Sequence, residues 1–147
     1  MATIPLPPDF KEFLKLLNAN KVDYLVIGGY AVNYHGYSRA TVDIDVWVAV
    51  NLENSERLAR AVRQFGFPSA DASTFLEPER IVRMGVAPLR IEILNSISGV
   101  DFEECYPRGI DSTIDGVPIR LMNLEDLIRN KTAAGRLKDL TDIEHLS

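Results

Sequence analysis

YLVIGGYAVNYHGYSRATVDIDVWV, residues 24–48, is the stretch on which the fold reading turns. It begins inside a short β-rich run, Val22 to Ile27, that is closed by Gly28-Gly29. Residues 30–36 then read as a short helix ending near Gly36. Residues 41–50, TVDIDVWVAV, form the clearest strand pattern of the chain, alternating and rich in β-branched side chains. Side chains alternate across a strand, so Asp43 and Asp45 share a face about 6–7 Å apart. Ile44, Val46 and Val48 point to the opposite face, toward a core. Two like charges in mid-strand repel unless something offsets them. A divalent cation does so, and carboxylate oxygens suit magnesium. An isolated Asp-x-Asp is more often a solvated strand face, so the glycines carry weight. Small residues between a strand and a helix let backbone N–H groups approach a phosphate. A compact connection puts the Gly-Gly turn and the acidic strand on neighbouring strands, as metal-dependent phosphoryl chemistry requires.

Working outward, Pro5, Pro7 and Pro8 extend the first residues, and Asp9, with Glu12 three residues on, reads as a helix N-cap. Phe10, Phe13, Leu14 and Leu17 recur at helical spacing, which predicts a helix over 9–19. A second helix spans Leu52 to Phe65, with Leu58, Ala61, Val62 and Phe65 on one stripe and Gly66 closing it. Strands are expected near 79–85 and 89–94, followed by a connection over 98–109. Asp115-Gly116 signals a hairpin between 110–114 and 117–121. Asn123 can cap a helix from 124 to about 134, and a last helical piece runs from about 138. The order predicts an α/β (α+β) mixed β-sheet flanked by helices, and 147 residues fit one domain, 1–147. In LRIEILN, residues 89–95, Leu89, Ile91 and Ile93 share one face, leaving Glu92 on the other. If this strand neighbours 42–48, Glu92 completes a three-carboxylate site; otherwise it is a surface position or pairs with Arg83 or Arg90.

Composition narrows the alternatives. Apolar residues make up 46% of the chain, enough for a core. No run of about 18 apolar residues occurs, so no membrane span is expected. The start MATIPLPPDF reads as no signal peptide. One cysteine, Cys105, forbids an intrachain disulfide and suits a cytoplasmic setting; its thiol reads as packing. A formal net charge of −5 argues against non-specific nucleic-acid binding.

Gly28-Gly29, the thirteen residues Tyr30 to Val42, Asp43-Ile44-Asp45 and the later Glu92 together resemble the polymerase-β-type nucleotidyltransferase superfamily. Residues 24–48, with ISGVDFEE (97–104) and RLKDLTDIEHL (136–146), are similar to its small bacterial branch, which includes toxins of toxin–antitoxin pairs. The resemblance implies a nucleotidyltransferase fold and transfer of a nucleoside monophosphate from an NTP to a hydroxyl acceptor. It implies Mg2+, with Mn2+ as an alternative, held by Asp43, Asp45 and Glu92, which are also the expected catalytic residues. Gly28 and Gly29 would contact phosphate, with Arg39 and Thr41 near the nucleotide. Lys131 and Lys138 would be phosphate or structural partners, although a solvated helix face suits them slightly better. Asp139 and Asp142 match late acidic positions of the family, with capping or salt bridging equally expected. An RNA 3′ end, a protein hydroxyl and a small molecule such as an aminoglycoside all stand as acceptors, and an antitoxin protein as a partner. Two departures stand out: Glu92 where Asp is usual, and Tyr30 where many relatives carry Ser. They keep a second reading open, a nucleotide- or metal-binding regulatory module with weak or no turnover that acts through a protein partner.

Three further features are weighed from residue type alone. His35 reads as a helix-end histidine. Trp47 shares a face with Asp45 and either walls the site or packs in the core. Arg57, Arg60 and Arg63 recur at helical spacing and read as a solvated face.

Overall fold

The computed structural model describes residues 5–38, 41–85 and 89–146. The elements follow in the order α1 (Pro8–Ala19), β1 (Tyr24–Ile27), α2 (Gly28–Tyr34), β2 (Ile44–Val48), α3 (Leu52–Phe65), α4 (Ala72–Leu76), β3 (Ile81–Met84), β4 (Ile91–Leu94), α5 (Phe102–Cys105), a 3-10 turn (Tyr106–Arg108), β5 (Ile110–Ile114), β6 (Val117–Leu121), α6 (Leu124–Ala134) and α7 (Leu137–Leu146). The strands form one mixed sheet in the order β3-β4-β2-β1-β6-β5. β1 runs antiparallel to β2, whereas β2 and β4 are parallel. The expected mixed sheet flanked by helices is therefore the architecture found.

The alternation of β2 and β4 divides the sheet into two faces. Ile44, Val46, Val48, Ile91 and Ile93 are buried with Phe10, Phe13, Leu14, Leu17, Leu58 and Val62 of α1 and α3. Phe13 meets Phe65 edge to face with ring centroids 5.3 Å apart, which ties α1 to α3. Asp45, Trp47, Glu92 and Leu94 occupy alternate positions and so the other face. Trp47 is buried there, edge-on to Phe102 at 5.1 Å, and Phe102 stacks on Tyr106. Of its two readings, Trp47 therefore takes core packing.

Local chemistry sets several boundaries differently from expectation. α1 has Pro7 as its N-cap and no side-chain cap. Pro8 at the first helical position pre-sets the backbone angle there, so Asp9 falls inside the first turn instead of capping it. β2 begins at Ile44, which leaves Thr41, Val42 and Asp43 ahead of the strand. The segments 72–76 and 102–105 are short helices that apolar periodicity is too brief to reveal. The hairpin at Asp115-Gly116 is present, with Ile114 paired to Val117. Asn123 caps α6, its side chain accepting from the Asp126 N–H at 2.7 Å. Arg57 pairs with Glu53 and Arg60 is exposed, as a solvated face requires.

Asn54 joins α3 to the sheet. Its Oδ1 accepts from the Asp23 N–H at 2.7 Å, and its Nδ2 donates to the Ala49 and Asp23 carbonyls at 2.9 and 3.2 Å. The side chain is buried, so truncation strands backbone groups where water cannot reach them. Asn54→Ala is expected to cost about 2–3 kcal/mol. Urea unfolding checks this, and the loss should appear as a lower midpoint with an unchanged slope.

Candidate active site

β1 ends at Ile27, which sits opposite Asp45 of β2. The chain then turns at Gly28, whose φ of +65° lies in the left-handed region. A Cβ on Gly28 would stand 2.1 Å from Asp45 Oδ2. No side chain fits between this turn and the carboxylate, so glycine is required on two counts. On its other flank Asp45 lies opposite Glu92 of β4, and Glu92 lies opposite Arg83 of β3. Strands are about 4.8 Å apart, so the row Arg83, Glu92, Asp45 and Ile27–Gly28 crosses four strands within a few residue widths.

This row floors a cleft of about 640 Å³. Gly28, Gly29, Thr41, Asp43, Asp45, Glu92, Lys131 and Lys138 all line it. Arg39, also expected near the nucleotide, lies outside the described residues. The cleft walls further include Arg83, Ser96, Ser98, Asn130 and Arg136. Of these, only Arg83 is singled out by the sequence, as a partner for Glu92; its Nε donates to Glu92 Oε1 at 3.2 Å. Arg136 escapes a reading based on strands and glycines. The signal that marks it is its place between Gly135, left-handed at φ +64°, and Asp139 three residues on. That spacing makes Arg136 a helix N-cap residue whose backbone N–H reaches a carboxylate.

The electrostatics of the cleft are uneven. Burial raises the Asp45 pKa from 3.8 to about 7, with further contributions from the Glu92 charge, a hydrogen bond with Glu92 and the Asp43 charge; Lys138 opposes the shift. Arg136 is held above its ordinary value, chiefly by its hydrogen bond to Asp139, with Asp45 contributing. Lys138 and Arg136 are thus the cations of α7 and its N-terminus that act on Asp45. Lys131 departs from the solvated face expected of it. It is buried, with Nζ 3.2 Å from Asp139 and 2.9 Å from Asp142.

The donor set suits a hard divalent cation in its chemistry: three carboxylates with oxygen donors only, one of them, Asp45, pushed up to about 7 by burial and by the neighbouring Glu92 and Asp43. Among the described residues, no three acidic, histidine or cysteine side chains are gathered into a formed metal-holding cluster.

Two residues weighed from the sequence, His35 and Cys105, lie elsewhere. His35 Nε2 is 2.9 Å from the Met122 carbonyl. Cys105 is buried, and burial with the nearby Asp126 pushes its thiol up to about 11, which removes it as a nucleophile. Asp126, fully buried, is paired with Arg108 at 2.9 Å and Arg129 at 2.7 Å, and those contacts outweigh burial to hold its carboxyl below the usual range.

A family model described as "Nucleotidyl transferase of unknown function (DUF2204)" matches residues 8–147. The chain belongs to this family. Solved structures share the fold. A Thermotoga maritima protein assigned as a nucleotidyltransferase aligns at 17% identity and a TM-score of 0.62, over 92% of this chain and 88% of that one. ANT(2″)-Ia in complex with adenylyl-2″-tobramycin aligns at 15% identity and a TM-score of 0.58, over 93% and 84%. An antigenic nucleotidyltransferase-like protein from Paracoccidioides brasiliensis gives 17% identity and 0.55, over 97% and 76%. A search of curated proteins gave no match. No helix among the described residues is long and apolar enough to cross a membrane.

Two outcomes follow for this nucleotidyl transferase. A carboxyl whose folded pKa is raised gives stability that is fully present below its unfolded value and is lost as pH rises through the folded value. Metal-free protein should therefore lose up to about 1.4 kcal/mol per pH unit through Asp45 between pH 4 and 7. Asp45→Asn should remove that component, as read from the difference between the two stability–pH curves. Gly28→Ala should cost about 1–2 kcal/mol from the left-handed backbone alone, with the clash against Asp45 in addition. A melting temperature unchanged from that of the parent would contradict it.

Proposed function

We propose that the chain transfers a nucleoside monophosphate from an NTP to a hydroxyl acceptor, with residues 1–147 acting as one nucleotidyltransferase-like domain. The observation that carries this reading is the opposition of Asp45 and Glu92 on adjacent parallel strands, directly beneath Gly28. Like charges kept side by side under a turn with no side chain are costly for a structural surface and useful for holding cations against phosphates. Asp43, Asp45 and Glu92 are the residues that would hold magnesium or manganese. When bound, such ions neutralise phosphate charge and polarise the reacting phosphorus.

The remaining roles belong to the chain itself. Gly28 and Gly29 let phosphate oxygens approach the backbone, and Thr41 lines the same cleft beside Asp43. Lys138 and Arg136 supply positive charge across the cleft for the triphosphate. The acceptor oxygen forms a bond to the α-phosphorus, the bond from that phosphorus to pyrophosphate breaks, and the hydroxyl proton passes to a carboxylate of the Asp45–Glu92 pair and on to solvent. Pyrophosphate and the nucleotidylated acceptor leave. The fold neighbour bound to adenylyl-2″-tobramycin supports a small polyhydroxylated molecule as one acceptor class, beside an RNA end or a protein hydroxyl. A cytoplasmic setting supplies both NTP and magnesium, and a toxin's role alongside an antitoxin would use the same reaction.

The Arg83–Glu92 ion pair favours a second reading, in which nucleotide is held without turnover and the signal passes through a protein partner. Calorimetry with ATP and magnesium, run beside a turnover assay across acceptors, separates the two: binding with no product in any assay supports the second. For the transferase reading, the decisive measurement is labelled-NTP transfer to acceptors in a cell lysate. Asp45→Asn should lower it by about a thousandfold, the equivalent of several kcal/mol of lost charge stabilisation. Full activity in that variant would sink the assignment.

A further inference from the structure

α7 is an unusual helix in what it buries. Of its ten residues, the two that are buried are Asp139 and Asp142. Its large apolar side chains Leu137 and Leu140 are 83% and 51% exposed. Apolar burial, which fixes most helices to their domains, is therefore scarce here. An ionic cluster takes its place. Lys131 of α6 places its ammonium between the two carboxylates, 3.2 Å from Asp139 and 2.9 Å from Asp142, with all three side chains at most 5% exposed. Asp139 also accepts from the Arg136 backbone N–H at 3.2 Å and from Arg136 Nε at 2.7 Å. A buried ion pair adds little over an apolar substitute, but loss of one partner is severe because the other charge is stranded.

We infer that Lys131 is a positioning residue for nucleotide transfer: its charge is consumed by Asp139 and Asp142, and it acts by locking α7 onto α6 so that Arg136 and Lys138 face Asp45 across the cleft. The lock stands on geometry alone, while its consequence for nucleotide rests on the transferase reading above. Lys131 thus touches the reaction through α7, although it lines the same cleft as the phosphate-facing cations. The two carboxylates take two of the three ammonium protons and offset its charge, which makes Lys131 a weaker phosphate ligand than Arg136 or Lys138.

The experiment compares Lys131→Met with Lys131→Met/Asp142→Asn in the full chain, using thermal unfolding and hydrogen exchange without nucleotide, then ATP–magnesium titration. The single variant should melt earlier and exchange the α7 amides at least tenfold faster, with the β1–β2–β4 amides unchanged, and should bind ATP at least tenfold more weakly. The double variant, with the stranded charge removed, should recover most of the stability and bind ATP within about threefold of the parent. A double variant no more stable than the single one, including one that does not fold, overturns the inference. So does a well-folded double variant as weak for ATP as the single, because a lost phosphate ligand cannot be restored from Asp142. If neither parent nor variants bind ATP, the exchange result still decides the lock, and the failure belongs to the transferase reading.

Discussion

Asp45 and Glu92 sit across from each other on parallel strands, and the sheet holds them there against their mutual repulsion. Ile44, Val46, Ile91 and Ile93, on the far face of the same strands, are buried in the core, so the register cannot slip without exposing them. A one-residue shift of either strand would move its carboxylate into the core and its apolar chains into the cleft. The hydrophobic core therefore stabilises an electrostatic conflict that neither strand would keep alone. Burial and the facing Glu92 together push the Asp45 carboxyl up to about 7. Gly28 crowds the same carboxylate from the β1 side, which leaves the cleft as the open direction for a compensating charge.

The cations are arranged on a different principle. Arg83 approaches from the sheet edge, paired with Glu92, while Arg136 and Lys138 come from α7. The acidic half of the cleft is fixed by strand pairing and apolar burial, the basic half by ion pairs between two helices. Domains usually anchor functional groups on rigid elements and leave the more weakly held ones free to respond to ligand. Here the weakly held element is α7, with exposed leucines and a buried charge cluster.

The acidic half was legible in the sequence because its determinants are local and periodic. Alternation in 41–50 and 89–94 fixes which side chains share a face, and Gly28-Gly29 can be read as a turn from residue type alone. The pairing of β4 with β2 was a conditional expectation that needed the sheet order. The basic half was harder. Lys131 reads as a surface lysine because its partners Asp139 and Asp142 lie beyond a helix break at Gly135, where helical periodicity loses its phase. Arg136 gave no pattern of its own. Asp9 was expected to cap a helix that Pro7 and Pro8 start instead, since capping residues and N-terminal prolines compete for the same turn. Trp47 had an even choice between cleft and core, and only the position of Phe102, far along the chain, decides it.

The parallel pairing of β2 with β4 also bears on how the molecule reaches its native state. β1, α2 and β2 are consecutive, so the glycine turn and Asp45 can meet through a short loop closure. Glu92 is joined to Asp45 through a crossover that contains α3, α4 and β3, as parallel neighbours require. Non-local pairings of this kind form slowly. The repulsion between the two carboxylates is therefore met when this non-local pairing forms. A cation arriving at that step would act as a folding partner before serving any chemical purpose.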